Sequence, residues 1–118
     1  MEEKRKFTRI VCNMKASVQI DDLINVEANN LNVSLNGALF ELADYFVFRK
    51  GDNCQLTIIL PNSGIRLQFR TEVMHFSGKM VGVRFLPIDT ETMIQLRRLM
   101  EARIPNPKQL EKELALLN

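Results

Sequence analysis

The feature that most constrains the fold is a period-two alternation of apolar and polar residues from position 15 to about position 86. Turn residues interrupt the alternation at short intervals, a pattern typical of antiparallel strands with one buried face. In the clearest segment, residues 66–76, the odd positions from Leu67 to His75 share one face and the even positions share the other. The pattern predicts six strands, at residues 16–20, 25–33, 37–42, 54–60, 66–76 and 79–86.

An antiparallel sheet of this kind leaves unpaired edges unless it closes, so we predict a mainly β protein built on a six-stranded antiparallel β-barrel. After Pro87 the apolar period becomes that of a helix. Asp89 is the predicted N-cap of one helix, and Asn106 caps a second helix that has Pro107 at its first position. The chain, residues 1–118, is expected to form a single domain, with a flexible N-terminal segment (1–14), the barrel (15–86) and C-terminal helices (89–118).

The inventory of reactive side chains argues against catalysis. His75 is the only histidine, and its place on the apolar face favours a packed, hydrogen-bonded ring over a general base or metal ligand. Cys12 and Cys54 are isolated and are predicted to be buried thiols in a reducing compartment. No histidine pair or Cys-x-x-Cys offers zinc spacing. We therefore expect no enzyme activity, no metal and no cofactor.

Hydropathy and charge bear on the location and the partner. No apolar stretch is long enough to cross a bilayer and no secretory signal is evident, so a cytoplasmic protein without membrane insertion is expected. The net charge is +2, yet the first 15 residues contain five basic side chains against two acidic ones. This uneven distribution favours a small anion over a long nucleic acid as the partner.

Two short strings carry the binding chemistry. Arg5-Lys6-Phe7-Thr8-Arg9 places two arginines four positions apart, and their planar guanidinium groups suit phosphates and guanine edges. Asn32-Val33-Ser34-Leu35-Asn36-Gly37 is a polar turn between the second and third predicted strands. Alone, the first reads as a solvated basic tail and the second as an ordinary hairpin turn. In a small barrel both reach the same side, where they would form two halves of one anion and purine site.

On these strings the chain resembles the PilZ domain family, whose signatures are R-x-x-x-R and [D/N]-x-S-x-x-G. Residues 81–85, Val-Gly-Val-Arg-Phe, are similar to a late V-G-V-x-F strand of the family, and the resemblance covers most of the chain. It implies a bacterial, cytoplasmic receptor for the second messenger cyclic diguanylate (c-di-GMP). Two departures are Asn32, at a position that is often Asp, and Asn36, in place of a frequent small residue.

The resemblance implies six binding residues: Lys4, Arg5, Arg9, Asn32, Ser34 and Gly37. The arginines would contact phosphates and guanine edges, the asparagine a guanine edge, and the serine a phosphate or a base. The glycine would permit the turn and the close approach of the ligand. In the family, a basic residue at the position of Lys4 tends to accompany an intercalated ligand dimer, so one or two ligand molecules are expected.

The resemblance further implies that ligand folds the N-terminal segment onto the barrel and creates a surface for a downstream protein. Leu110, Leu114 and Leu117 share one face of the second predicted helix and pack either within the chain or between the copies of a homodimer.

Two other functions stay open at this stage. The first is a PilZ-like adaptor that binds a protein partner without ligand, its arginines forming a solvated tail. The second, ranked last, is a small nucleic-acid-binding barrel that uses exposed aromatic residues with Arg66, Arg70 and Arg84.

Overall fold

The computed structural model describes residues 7–21 and 23–117, which form seven strands and two helices. The strands are β1 (Ile10–Cys12), β2 (Lys15–Gln19), β3 (Asn25–Val33), β4 (Gly37–Leu42), β5 (Asn53–Ile59), β6 (Arg66–Ser77) and β7 (Met80–Phe85). The helices are α1 (Thr90–Glu101) and α2 (Pro107–Leu116). All six predicted strands are present, each with bounds within one residue of those that the alternation predicts.

Strands β2 to β7 close into a barrel. Strand β3 pairs with β2, and the sheet continues through β5, β6 and β7 to β4, which pairs back with β3. Every pairing is antiparallel. The predicted six-stranded antiparallel barrel is therefore confirmed, and its closure leaves these strands without an open edge.

Strand β1 lies outside this ring and was not predicted. Its three residues pair with Leu31 to Val33 at the end of β3, with Ile10 and Cys12 buried and Val11 exposed. The strand falls within residues 1–14, where the sequence suggested a flexible segment. Three residues are too few for alternation to be recognised, so only pairing with β3 identifies this strand.

A β-bulge corrects the prediction for His75. The register of β6 against β7 shifts between Val73 and His75, so one extra residue interrupts the alternation. Beyond that point the faces exchange, and His75 is exposed instead of packed with Phe69 and Val73 on the buried face. A second shift, in β3 between Asn29 and Asn32, contains Asn30 with a φ of 49°. Asparagine tolerates this left-handed conformation better than most residues.

The barrel interior and the inner faces of both helices form one core. Phe69 and Phe85 stack inside it with ring centroids 4.3 Å apart. Leu110 of α2 is buried and Leu114 packs at the edge of the core, so this part of the leucine face packs within the chain. Leu117 is about 38% exposed. Cys12 and Cys54 are buried free thiols, as predicted.

The helix caps agree with the sequence analysis. The Asp89 side chain accepts a hydrogen bond from the Thr92 amide at 2.7 Å, and the Asn106 side chain accepts one from the Lys108 amide at 3.1 Å. Neither described helix has the length and apolar character needed to span a bilayer.

Candidate functional site

A surface cleft of about 500 Å³ lies where the N-terminal segment, the β3–β4 turn and the β6–β7 hairpin meet. Four of the six predicted binding residues line it: Arg9, Asn32, Ser34 and Gly37. The other two, Lys4 and Arg5, lie outside the described residues. The barrel thus brings residues of both sequence strings to one cleft, because β1 and the turn after β3 lie at the same end of β3.

Within the turn, the Ser34 hydroxyl is engaged by its neighbours. Ser34 is buried, and its Oγ lies 2.7 Å from Oδ1 of Asn36 and 3.2 Å from the Gly37 carbonyl oxygen. The Asn36 amide donates to the same Oγ at 3.3 Å, and the Ser34 amide donates to the Gly37 carbonyl at 2.9 Å. The serine therefore shapes the turn. Asn36, noted from the sequence only as a departure from the family pattern, also lines the cleft, and its side-chain amide nitrogen has two N–H donors.

Gly37 has a packing reason for lacking a side chain. A Cβ at this position would lie 2.3 Å from the carbonyl oxygen of Val83 and 3.2 Å from Cα of Arg84. Its φ is not positive, so the backbone conformation itself does not require glycine. Gly37 was predicted to serve the turn and the approach of a ligand, whereas the contact that excludes a side chain here is with the backbone of β7.

Asn32 is the second-to-last residue of β3. It pairs with Val11 of β1 on one side and Leu39 of β4 on the other, and it is half-buried. Its Nδ2 donates to the Asn30 carbonyl at 3.4 Å, a long and therefore weak hydrogen bond. The Asn32 side chain therefore lines the cleft, and its amide can exchange this weak hydrogen bond for one with another partner.

His75 is a cleft residue that sequence reasoning missed. It pairs with Gly82 across the hairpin, and a Cβ on Gly82 would lie 2.2 Å from Nε2 of the imidazole. The ring therefore lies directly over the glycine and lines the cleft. The signal in the sequence was the tight turn of the predicted hairpin, which places His75 opposite Gly82; the register shift lies beyond that pair, between His75 and Val73.

The electrostatics of the cleft favour an anion. The described lining residues include Arg9 and Arg84 and no carboxylate. Arg84 Nε pairs with Glu72 Oε1, and the Arg84 side chain remains about 52% exposed. This ion pair orients the guanidinium group on β7 beside Asn36 and leaves its other N–H donors available.

The three arginines of the nucleic-acid alternative line two different depressions. Arg84 lines the cleft, whereas Arg66 and Arg70 line a separate depression beside the start of α1. In residues 7–21 and 23–117, no three His, Cys, Asp or Glu side chains come together as a set of metal ligands.

Comparisons with known proteins agree on one family. The sequence matches the PilZ domain family over residues 3–102. No curated protein matches the chain significantly.

The solved structures that are similar to the chain include two isolated PilZ domains and one longer protein. The PilZ domain of YcgR from Escherichia coli, solved with c-di-GMP, has 16% identity and a TM-score of 0.71, over 86% of this chain and 92% of that one. The PilZ domain of CeSA from a cellulose synthesizing bacterium has 14% identity and a TM-score of 0.65, over 80% and 96%. The Bacillus subtilis inhibitor of motility, MotI/DgrA, has 19% identity and a TM-score of 0.64, over 86% and 54%. The chain spans nearly all of the two isolated domains and about half the length of MotI.

Proposed function

The chain belongs to the PilZ domain family, and on that premise we propose that it is a receptor that binds c-di-GMP in the cleft, without catalysing a reaction on it. One observation carries the proposal. The cleft is lined by Arg9 from the first signature and by residues of the turn from the second, with Arg84 as a further cation and no carboxylate among the described lining residues. The E. coli YcgR domain, which has the same fold, was solved with this ligand.

The phosphates of the ligand suit the arginines. A guanidinium group offers a rigid fork of N–H donors, which binds phosphate oxygens or the O6 and N7 atoms of guanine in pairs. Arg9 is exposed at the cleft, and Arg84 is oriented by Glu72. Arg5 and Lys4 lie outside the described residues, and we propose that they add a second fork and long-range attraction, respectively.

The guanine bases suit the remaining cleft residues. The side-chain amides of Asn32 and Asn36 each carry a donor and an acceptor for a base edge. His75 offers a flat ring on which a purine can stack. We assign Ser34 and Gly37 a supporting part: the serine holds the turn and the Asn36 side chain, and the glycine lets β4 lie against β7.

The relay to a downstream protein is the second part of the proposal. A groove of about 660 Å³ runs between the helices and the barrel, and it shares Asn36 and Arg84 with the cleft. Apolar side chains such as Met93 and Leu114 line the groove. A ligand that repositions Asn36 or Arg84 would change the edge of this groove, and a protein partner would sense that change. The same groove supports the second candidate, an adaptor that binds its partner without ligand.

Isothermal titration with c-di-GMP tests the receptor. The native chain is expected to bind saturably at micromolar or tighter affinity, with a stoichiometry that distinguishes one ligand molecule from two. Arg9→Ala removes a charge-assisted contact of about 1.5 to 3 kcal/mol, so its affinity should fall roughly tenfold to a hundredfold. Arg66→Ala is the matched control, because it removes an exposed arginine that lies outside the cleft.

Three results would contradict the receptor proposal or redirect it. Absence of saturable binding by the native chain favours the adaptor, and equal affinity of Arg9→Ala and the native chain removes Arg9 from the site. Retention of single-stranded DNA on a filter, lost in Arg66→Ala, would favour the nucleic-acid alternative. Sedimentation of the native chain with and without ligand tests the homodimer, one of the two packings left open for the leucine face of α2.

A further inference from the structure

A buried carboxylate joins the two ends of the described chain. Glu113 of α2 is about 1% exposed. Its Oε1 accepts a hydrogen bond from the Thr8 amide and its Oε2 accepts one from the Thr8 hydroxyl, both at 2.6 Å. Gln109 Nε2 also donates to Oε2, at 2.9 Å. The Thr8 and Glu113 positions are 105 residues apart in sequence.

This arrangement is unusual for the face of α2 on which it lies. Glu113 sits between Leu110, which is buried, and Leu114, which packs against the core. A carboxylate removed from water is unfavourable unless hydrogen bonds replace its hydration. Two of its three donors belong to Thr8, so most of that compensation comes from one residue of the N-terminal segment.

Thr8 lies in the sequence between two residues that line the cleft, Phe7 and Arg9. Phe7 also packs against the core. Because the Thr8 amide and hydroxyl are both bound, the path of the backbone into Arg9 is defined by α2. A second hydrogen bond also joins the helical region to the N-terminal segment: Arg103 Nη1, in the connection between the helices, donates to the Val11 carbonyl oxygen at 3.2 Å.

We propose that Glu113 is a positioning residue for the cleft: through Thr8, helix α2 holds the Arg9 segment against the barrel in the geometry that a ligand requires. A segment that is already held loses less conformational freedom when ligand binds, so its affinity is higher. The effect is reciprocal, because a ligand that engages Arg9 must strengthen the docking of α2 by the same factor. A partner that displaces α2 would therefore release the ligand.

The ligand part of this inference rests on the proposed function, whereas the anchoring of Thr8 by Glu113 does not. The experiment therefore has two readouts on the full chain, hydrogen exchange of the Thr8 amide without ligand and titration with c-di-GMP. Glu113→Gln keeps the size of the side chain and removes its charge. Glu111→Gln makes the same change at an exposed position of the same helix and is the matched control.

Glu113→Gln should speed exchange of the Thr8 amide by about tenfold or more and weaken c-di-GMP binding about tenfold, because charge-assisted bonds to a buried acceptor are lost. Glu111→Gln should change neither value. In a Thr8→Val background, Glu113→Gln should have a smaller effect on affinity than in the native chain, since the two residues act through one contact. Ligand should slow amide exchange in α2 of the native chain more than in Glu113→Gln.

Several results separate the two proposals. Unchanged Thr8 exchange and unchanged affinity in Glu113→Gln would overturn the inference while the receptor stands. Lack of binding by the native chain would overturn the receptor and the ligand part of the inference, and the Thr8 exchange rate would still decide the anchoring. If Glu113→Gln fails to fold, Thr8→Val tests the same contact from the N-terminal segment, with Thr8→Ser, which retains the hydroxyl, expected to bind as the native chain does.

Discussion

Alanine at Gly37 should destabilise the protein, whereas alanine at Gly82 should leave its stability nearly unchanged. In both cases the added Cβ would meet an atom at almost the same distance, 2.3 Å for the Val83 carbonyl oxygen and 2.2 Å for Nε2 of His75. The difference lies in what can move. The carbonyl belongs to the backbone of β7 inside a closed barrel, whereas the imidazole is the end of an exposed side chain.

The expected magnitudes follow from these contacts. At Gly37, the added Cβ would push β4 away from β7 where Gly37 pairs with Arg84. Such overpacking typically lowers the free energy of unfolding by about 1 to 3 kcal/mol. For a domain of this size, about 4 °C of melting temperature corresponds to 1 kcal/mol, so a fall of roughly 4 to 12 °C is expected. At Gly82, rotation of His75 costs little, and the lower entropy of the unfolded chain offsets it by about 0.4 to 1 kcal/mol.

Thermal and urea unfolding followed by circular dichroism measure both variants against the native chain. Titration with c-di-GMP then adds a second distinction, since Gly82→Ala should retain the native melting temperature and still bind more weakly once His75 has left its place in the cleft. A native melting temperature for Gly37→Ala, or equal losses in both variants, would refute the argument that the backbone of β7 excludes a side chain at Gly37.

Two further predictions concern other positions. His75→Ala should weaken c-di-GMP binding roughly tenfold, and His75→Phe should retain most of the affinity, because stacking of a base on a ring contributes about 1 to 3 kcal/mol; equal titration curves for the two variants would remove the ring from the site. Burial raises the pKa of the Cys54 thiol above its ordinary value, an effect that a hydrogen bond with Thr71 opposes and the charge of Asp52 reinforces. The protonated thiol therefore contributes stability that is fully present below the ordinary thiol pKa and is lost as the pH rises through the raised pKa. The urea midpoint of the native chain should consequently fall more between pH 8 and pH 10.5 than the midpoint of Cys54→Ala. Iodoacetamide should also label Cys54 slowly in the folded protein.

Local patterns predicted most of the fold because their causes are local. The side chains of a strand alternate with period two whatever the strand pairs with, so the alternation alone located β2 to β7. Capping likewise depends on a residue and its next few neighbours, and Asp89 and Asn106 were recognised for that reason. Strand β1 was missed because its three residues become a strand only through pairing with β3.

The candidate site was predictable in part. Arg9 and the turn from Asn32 to Gly37 were identified from their spacing and from the resemblance to a family, and they line one cleft. The environment of His75 was predicted wrongly, because a bulge exchanges the faces of β6 and no pattern in the strand marks where it occurs. The contact of Glu113 with Thr8 could not be predicted, since it depends on where α2 docks.

The sequence by itself determined strands β2 to β7, both helices, most of their buried faces and the residue types available for binding an anion, because each depends on a few neighbouring residues. Only the tertiary structure decided which of those residues meet. Closure of the barrel and docking of α2 bring together positions as far apart as Thr8 and Glu113, and those contacts form where the packing of the whole core is most favourable. That long-range packing, absent from any short stretch of sequence, connected the Arg9 segment to the C-terminal helix.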